Sequence, residues 1–357
     1  MMRSTSEVAV ASTGSDAPLL TVVVPAYNAE PHLGRALEGL DAVSGIEVVI
    51  IDDGSTDRTL AVAEHWAAQS PGYLRVIHQD NRGHGGAINA GLAAARGEFL
   101  KVLDADDWLD IPSLRALLAH LRALRATGGA VDAVFTDFVH ERAGRTPKTA
   151  RFASVFPVGR VFEWSHTGRF SRRQVIMMHA IVYRTRMLRD AELVLPERAY
   201  YVDNLFVVQP LARVRRMSYL PVPLYRYRIG REDQSVAPEV MLRRVDQLLR
   251  VNRLALAALP SSADVARGDI PPQLHRTLLH HLEEVCAVTS ATLARGGTAT
   301  HLRQRDDFWH ELRVENPWLH GRMRRSLLGT ASNLPGHAGR AATGFAYRLA
   351  RRVVGFS

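Results

Sequence analysis

Residues 100–110 read LKVLDADDWLD. The apolar run 99–103 predicts a short buried strand, and three carboxylates follow it at once, those of Asp104, Asp106 and Asp107. Because like charges this close repel one another, a fold tolerates them where a cation or hydrogen bonds compensate. An Asp-x-Asp sequence at a strand end presents two oxygen ligands to Mg²⁺ or Mn²⁺, which keeps positions open for a substrate diphosphate. The alternative is a solvated acidic turn that caps the following helix.

Strand-like and helix-like patterns alternate around this stretch. Apolar runs predict strands at 19–24, 47–51, 74–77, 99–103 and 131–135. Apolar residues recur at helical spacing between them, and Ser55 is the predicted cap of the second helix. The alternation implies right-handed crossovers and an α/β fold whose mainly parallel sheet carries helices on both faces. A nicotinamide-binding fold would need G-x-G-x-x-G after the first strand, where this chain has PAYN.

Ligands of such sheets bind at the carboxyl ends of the strands. There, Asp52 or Asp53 would accept a hydrogen bond from a base or a ribose hydroxyl, although Asp-Gly is also a common turn pair. The glycine-rich stretch 81–86 offers backbone N–H groups to phosphate, and Arg82 adds positive charge. Within it, His84 is either a structural hydrogen-bonding residue or a catalytic one.

Composition bounds the function. The chain has 357 residues, 46% of them hydrophobic and 23% charged, which suggests two domains and excludes a mostly disordered protein. Its one cysteine, Cys286, excludes an internal disulfide and a cysteine-rich zinc site and fits the cytoplasm. No apolar run is long enough to predict a membrane-spanning helix. The net charge of +9 favours a polyanionic partner: nucleic acid, an anionic membrane or a phosphorylated substrate.

The ends of the chain differ from its middle. Residues 1–17 are predicted to be a disordered lead-in, and the pattern from 238 to 321 predicts a helical C-terminal region. The basic tail 322–357 places Phe345, Leu349 and Val353 on one helical face near several arginines. This tail would contact anionic lipid at the inner face of the membrane, or pack on the helical region. Nucleic acid is not an expected partner, since no recognition motif accompanies the charge.

Four segments, in order and at the usual spacing, resemble those of the family 2 glycosyltransferases with the GT-A fold. They are VVVPAYNAE (22–30), VIIDDGSTDRT (49–59), NRGHGGAINAG (81–91) and LKVLDADDWLD (100–110). Segments 178–180, 200–204 and 229–236 resemble a bacterial subgroup of this family. The resemblance implies a Rossmann-like GT-A domain over 18–237, with a nucleotide-sugar half at 18–137 and an acceptor half at 138–237.

The resemblance also implies how the nucleotide binds. Pro25, Tyr27 and Asn28 would shape the base pocket, with Glu30 at its edge. Asp53 is similar to the aspartate that hydrogen-bonds uracil.

The resemblance also implies which residues bind the diphosphate and the metal. Arg82, Gly83 and His84 would face the diphosphate. Asp104 and Asp106 match the Asp-x-Asp that binds Mn²⁺ or Mg²⁺; Asp106 would be the main ligand, with Asp107 as a further candidate. Arg231 and Gln234, together with Arg228 and Ser235, would close over the diphosphate as a lid, unless they form a solvated basic loop.

Asp203 matches the place of the catalytic base, although Val202 stands where the family commonly has glutamate. His179 would meet the donor sugar or the acceptor, or is a core histidine. The Gln-x-x-Arg-Trp motif of processive synthases is absent, which favours the addition of one sugar or a few.

These features predict an inverting, metal-dependent glycosyltransferase. It would use a nucleotide-sugar, UDP-linked, and a hydroxyl of a cell-surface glycan, glycolipid or polymer precursor as acceptor. The alternative is a catalytically silent GT-A domain that serves as a nucleotide-sugar sensor or an assembly scaffold.

Overall fold

A computed structural model describes residues 17–325, apart from 173, 231–233 and 236. Within these ranges ten strands join one sheet. The lead-in 1–16 and the tail from 326 onward, with the predicted amphipathic face, lie outside the described residues.

The first half of the sheet is parallel. Its strands are β1 (Leu20–Ala26), β2 (Ile46–Asp52), β3 (Leu74–His78) and β4 (Phe99–Val102), and its helices are α1 (Glu30–Leu37), α2 (Thr59–Gln69) and α3 (Gly83–Ala94). The strand order β3-β2-β1-β4 reverses direction at β1. Right-handed crossovers therefore place α3 on the opposite face from α1 and α2. The central strands β1 and β2 are wholly buried and rich in Val, Ile and Leu, as a sheet covered on both faces requires, whereas the edge strand β3 is only partly buried.

The second half of the sheet is mixed. It contains β5 (Trp108–Leu109), α4 (Ile111–Ala126), β6 (Ala133–Arg142), β7 (Lys148–Ala150), β8 (Val161–Glu163), β9 (Ile181–Arg184), α5 (Thr185–Asp190), α6 (Asp203–Leu211) and β10 (Arg216–Ile229). Strand β9 lies antiparallel between β4 and β6, whereas β10 is parallel to β6. The sheet thus continues across the molecule through the antiparallel strand β9 to the parallel pair of β6 and β10.

The C-terminal part is helical. It comprises α7 (Pro238–Arg243), α8 (Val245–Ala257), α9 (Ser262–Ala266), α10 (Pro272–Gly296), α11 (Ala299–Glu315) and α12 (Pro317–Arg325). Its buried leucines belong to the same apolar core as the sheet, so a boundary at 237 stays a prediction. None of the helices in the described part of the chain combines the length and apolarity needed to cross a bilayer. The predicted α/β fold followed by a helical region is confirmed.

Two helix starts show how the sequence sets these elements. The Asp110 carboxylate caps α4 by accepting from the Ser113 amide at 3.1 Å, and proline stands in the first turn, where its missing N–H costs nothing. The predicted Ser55 cap of α2 is wrong, because that helix begins four residues later. The Ser55 hydroxyl accepts from the Asn28 amide at 3.1 Å instead, which joins the loops after β1 and β2.

Candidate active site

One cavity of about 790 Å³ opens at the carboxyl ends of β1, β2 and β4, where the strand order reverses. Ligands of open α/β sheets bind at such a switch point. Among the described residues, twelve of the predicted site residues line it: Pro25, Tyr27, Asn28, Asp53, Gly83, His84, Asp104, Asp106, His179, Asp203, Gln234 and Ser235. Glu30, Arg82 and Asp107 lie outside the lining, and Arg231 falls outside the described residues.

The loop after β1 is held to the loop after β2. Asn28 has a left-handed backbone, with φ of 48°, and its side-chain oxygen accepts from the Thr56 amide at 2.8 Å. Tyr27 is half exposed at the rim of the cavity. Glu30 turns away from the cavity, because its carboxylate accepts from the Arg58 amide at 3.2 Å.

The two aspartates after β2 have separate roles. The Asp52 carboxylate is paired with His78 at 2.6 Å. Asp53 Oδ1 accepts from Gln79 Nε2 at 2.7 Å and from the Arg82 amide at 2.8 Å. Among the described residues none donates to Asp53 Oδ2, so that oxygen remains available to a ligand in the cavity.

Close packing accounts for part of the glycine-rich stretch. Gly83 begins α3 with φ of +75°, and a Cβ there would lie 2.9 Å from the Arg198 backbone. A Cβ on Gly85 would lie 2.4 Å from the Pro196 carbonyl oxygen. The Arg82 guanidinium pairs at 2.6 Å with Glu197, which lies between Pro196 and Arg198. We call residues 196–198 the crossing segment. These residues therefore anchor the crossing segment, and their predicted contact with a diphosphate stays a prediction.

The acidic cluster is built by hydrogen bonds from two directions. Asp104 Oδ1 accepts from His84 Nε2 at 2.9 Å, and the Asp104 amide donates to the Tyr225 hydroxyl at 3.1 Å. The Asp107 carboxylate accepts from that same hydroxyl at 2.7 Å and from the Arg228 amide at 2.7 Å. Asp107 thus ties the cluster to β10, whereas Asp106 lines the cavity.

His179 lies against this cluster. Its ring is 3% exposed, stacks on Tyr227 with centroids 4.4 Å apart, and lies with Nε2 3.8 Å from Asp104 Oδ2 and 4.0 Å from Asp107 Oδ2. Neither ring nitrogen has a hydrogen-bond partner among the described residues. The sequence left this histidine undecided, because a single His has no distinctive local pattern.

A buried lysine positions this histidine. Lys101 Nζ on β4 donates to the carbonyl oxygens of Met178, His179 and Ile181 at 2.9, 2.6 and 3.1 Å. Burial lowers the pKa of Lys101 to about 7. The lysine holds the turn that carries His179 against the strand that leads to Asp104.

The ionisation of the cluster suits a cation. Burial opposes the charge on Asp104, but the hydrogen bond and charge of His84 outweigh it and lower its pKa. Burial, then the charges of Asp106 and Asp104, raise the pKa of Asp107. Burial lowers the pKa of His179 to about 3 and keeps its ring neutral. One ligand atom each from Asp104, Asp107 and His179 lie within 4.8 Å of one another. Two carboxylates and a neutral imidazole are donors that fit Mn²⁺.

Asp203 begins α6 and faces the cavity. Burial raises its pKa, and the charge of His84 opposes that rise. The Asn204 side chain donates to Asp203 Oδ1 at 3.4 Å. The preceding Tyr201 has φ of +67° and is, with Asn28 and Arg198, one of three non-glycine residues with positive φ that line the cavity. Such strained backbone clusters at functional sites.

Gln234 lines the cavity and hydrogen-bonds to the end of β10. Its side chain accepts from the Gly230 amide at 2.8 Å and donates to the Arg228 carbonyl at 2.5 Å. The Tyr201 hydroxyl donates to the Ser235 carbonyl at 3.0 Å. Ser235 is therefore joined to the residues before Asp203.

Sequence analysis missed the far side of the cavity, which is helical. It is lined by Met241 from α7, Leu248 from α8, and His281, Glu284, Val285 and Val288 from α10. The signal that points to these residues is their spacing, since positions 281, 284, 285 and 288 share one helical face.

Comparisons with known proteins show what the sequence and the fold are similar to. Residues 21–186 match the family described as Glycosyl transferase family 2. One relative is EpsH of Bacillus subtilis, which is named as a glycosyltransferase. It is 30% identical over 232 residues, which are 60% of this chain and 62% of EpsH. The poly(ribitol-phosphate) beta-N-acetylglucosaminyltransferase TarS of Staphylococcus aureus is 25% identical over 226 residues, 61% of this chain and 36% of TarS. The chain thus spans less than two thirds of the length of these relatives.

Among solved structures, the 1–349 fragment of S. aureus TarS in complex with UDP-GlcNAc superposes with a TM-score of 0.62 at 20% identity, covering 93% of this chain and 90% of that fragment. At this identity the likeness concerns the fold. The matched family region and the named relatives identify residues 21–186 as a family 2 glycosyltransferase domain, and the structural likeness agrees with its GT-A fold.

Proposed function

We propose that this chain transfers a sugar from a UDP-sugar to a hydroxyl of a cell-surface glycan, glycolipid or polymer precursor, with inversion at the anomeric carbon. One observation carries the proposal: Asp53, Asp106 and Asp203 line a single cavity at the switch point of the sheet. A base-recognising carboxylate, a metal ligand and a catalytic base are what this reaction needs together.

The uracil end of the donor would lie against the loops after β1 and β2. Asp53 Oδ2 faces no donor among the described residues, so it would accept from the N–H of the base. Tyr27 and Asn28 line the same end of the cavity. The fold likeness to a protein solved with UDP-GlcNAc supports a uridine nucleotide.

Asp104 and Asp106 would hold Mn²⁺ or Mg²⁺, with Asp107 and His179 as neighbouring donors. When bound, a divalent ion offsets the negative charge that grows on a departing diphosphate. His84 keeps Asp104 ionised through its hydrogen bond, so the carboxylate is ready to bind a cation.

Asp203 would act as the base. It takes the proton of the acceptor hydroxyl while the hydroxyl oxygen bonds to the anomeric carbon from the face opposite the diphosphate. The bond from that carbon to the diphosphate oxygen breaks and UDP leaves, which inverts the configuration. The raised pKa of Asp203 brings it nearer to neutral pH, where a base transfers protons most effectively.

The cellular setting belongs to the same proposal. The chain would add one sugar or a few, in the cytoplasm, and meet a lipid-linked or polymeric acceptor at the inner face of the membrane. The basic residues after Arg322 would support that contact through attraction to anionic lipid.

The test is a panel of UDP-sugars with Mn²⁺, with Mg²⁺ and with excess EDTA, in which released UDP is measured. We expect release with at least one donor and a metal, and loss of release with EDTA or in Asp106→Ala. The matched control is Asp190→Ala, an exposed aspartate on α5. Binding of UDP without any release would favour the silent sensor or scaffold, and release that persists in EDTA would contradict the metal requirement.

A further inference from the structure

We infer that the helical side of the cavity is the acceptor site, and that it selects an acceptor glycoside carrying a hydrocarbon substituent. Glu284 hydrogen-bonds a hydroxyl of the acceptor sugar, and the apolar residues beyond it hold the hydrocarbon. The inference rests on the proposed function, because it assigns the second substrate of the same reaction.

Helix α10 carries a continuous stripe into the cavity. His281, Glu284, Val285 and Val288 stand at helical spacing and all line it. With a rise of about 1.5 Å per residue, the stripe extends about 10 Å along the helix. That length exceeds one sugar ring, so the cavity has room for a sugar and for what is attached to it.

The stripe starts beside the proposed base. His281 Nε2 donates to Asn204 Oδ1 at 3.1 Å, and the Asn204 side-chain amide lies 3.4 Å from Asp203 Oδ1. An acceptor whose reacting hydroxyl meets Asp203 therefore has its remaining atoms directed along α10.

Glu284 is a polar group prepared for a ligand. Its side chain is buried and faces the cavity, and it makes no hydrogen bond to any residue in the described ranges. Burial raises its pKa to about 7, with Glu283 raising it further and Arg172 opposing. Because this carboxyl group faces the cavity and has no protein partner in the described ranges, a ligand hydroxyl can hydrogen-bond to it.

The remainder of this side is apolar. Met241, Leu248, Val285 and Val288 come from three helices, and all four line the cavity. They offer no donor or acceptor to a second hydroxylated ring. A hydrocarbon substituent fits them, because each buried CH₂ contributes about 0.8 kcal/mol.

This end of the cavity suits the acceptor rather than the donor. The groups assigned to UDP lie in the loops after β1, β2 and β4, whereas these residues belong to α7, α8 and α10. The hydrocarbon would be either a short substituent or the chain of a lipid carrier, and the length of the chain distinguishes them.

The test measures the binding of methyl, butyl and octyl β-glycosides of glucose, galactose and N-acetylglucosamine. The full chain is used with UDP and Mg²⁺, below micelle-forming concentrations, and ligand-observed NMR gives each dissociation constant. We expect at least one octyl or butyl glycoside to bind at least tenfold more tightly than its methyl counterpart. If the butyl glycoside binds as tightly as the octyl glycoside, the hydrocarbon is a short substituent. If the affinity increases further from butyl to octyl, the hydrocarbon is a lipid chain.

Three variants locate the effect. Val288→Asn should abolish the gain, and Val314→Asn, on an exposed part of α11, should keep it. Glu284→Gln should weaken the methyl and alkyl glycosides alike. Equal binding of all chain lengths for every sugar, or a gain that survives Val288→Asn, overturns the inference. Calorimetry of UDP and Mg²⁺ on the same sample separates the two claims: absent UDP binding contradicts the proposed function, whereas intact UDP binding without an alkyl gain contradicts only the acceptor assignment.

Discussion

The two sides of the cavity are built in different ways. The strand-end side consists of short loops after β1, β2 and β4, and its polar groups bond to one another, as Asp53 does with Gln79 and Asp104 with His84. The helical side consists of residues from α7, α8 and α10, which are mostly apolar, and its Glu284 has no hydrogen-bond partner within the described ranges. The strand-end side is therefore pre-organised for a charged ligand. On the helical side, the polar group would find its hydrogen-bond partner in the substrate.

This difference suggests that the strand-end side supports the chemical step and that the helical side selects the acceptor. Pre-organised dipoles and charges stabilise a reaction that develops charge, and they require little rearrangement. An apolar cavity with a single hydrogen-bonding group discriminates by shape and hydrocarbon content. Relatives with the same strand-end motifs would therefore share donor chemistry and differ in acceptor.

The largest expected effect concerns the residue between the two sides. Asp203→Asn should lower transfer by about 10²–10⁴-fold, the usual contribution of a general base, and should leave the affinity for UDP and metal unchanged. Released UDP and calorimetry measure the two quantities. The wild-type activity should also fall as the pH drops through the raised pKa of Asp203, since only the ionised carboxylate accepts a proton.

Asp190→Asn, an exposed aspartate on α5, is the matched control and should behave as wild type. Full transfer by Asp203→Asn would assign the base elsewhere and leave Asp203 a structural residue at the start of α6.

A second prediction tests whether the strand-end side depends on its buried support. Lys101→Met removes the donor to three carbonyl oxygens, each of which costs about 1–3 kcal/mol when buried without a partner. Loss of a desolvated ammonium offsets part of this, so we expect about 2 kcal/mol lower stability in urea unfolding. Mn²⁺ affinity should fall about tenfold, because His179 loses its fixed position. Lys148→Met, an exposed lysine on β7, should change neither quantity.

The sequence predicts the strand-end side well for a physical reason. Each of its groups lies within a few residues of a strand whose apolar run is visible locally, so Asp53, Asp104 and Asp106 could be placed without knowing the fold. The predicted Ser55 cap failed because its hydroxyl serves a neighbouring loop 27 residues away, a contact that no local pattern reveals.

The helical side escaped prediction because it depends on packing between distant segments. Glu284 is 81 residues from Asp203 and reaches the same cavity only through the contact of α10 with α6. Arg82 shows the converse, since a basic residue beside glycines indicates phosphate, yet its guanidinium pairs with Glu197. Ion pairs between remote segments are set by the tertiary fold.

A third prediction concerns the helical side and the pH dependence of stability that Glu284 causes. The pKa of Glu284 in the folded chain is about 7, above its ordinary 4.5, so the folded state keeps its proton more tightly than the unfolded state. The associated stability is full below pH 4.5 and is lost as the pH rises through 7. Glu284→Gln cannot ionise, so it should gain about 2–3 kcal/mol relative to wild type between pH 4.5 and pH 8. Urea unfolding at both pH values checks this, and Glu64→Gln, on an exposed face of α2, should show no such gain.

The smallest expected effect concerns Asn28 on the strand-end side. Two substitutions there separate the contribution of its left-handed backbone from that of its side-chain hydrogen bond. Asn28→Ala loses the bond from the Thr56 amide and keeps a Cβ in left-handed backbone, whereas Asn28→Gly loses the bond and also removes that Cβ. The alanine variant should therefore be about 1 kcal/mol less stable than the glycine variant, and should bind UDP more weakly. Urea unfolding and calorimetry measure both. If the two variants were equal, the left-handed turn would not be what shapes the base pocket, and the bonds between the loops after β1 and β2 would carry that role alone.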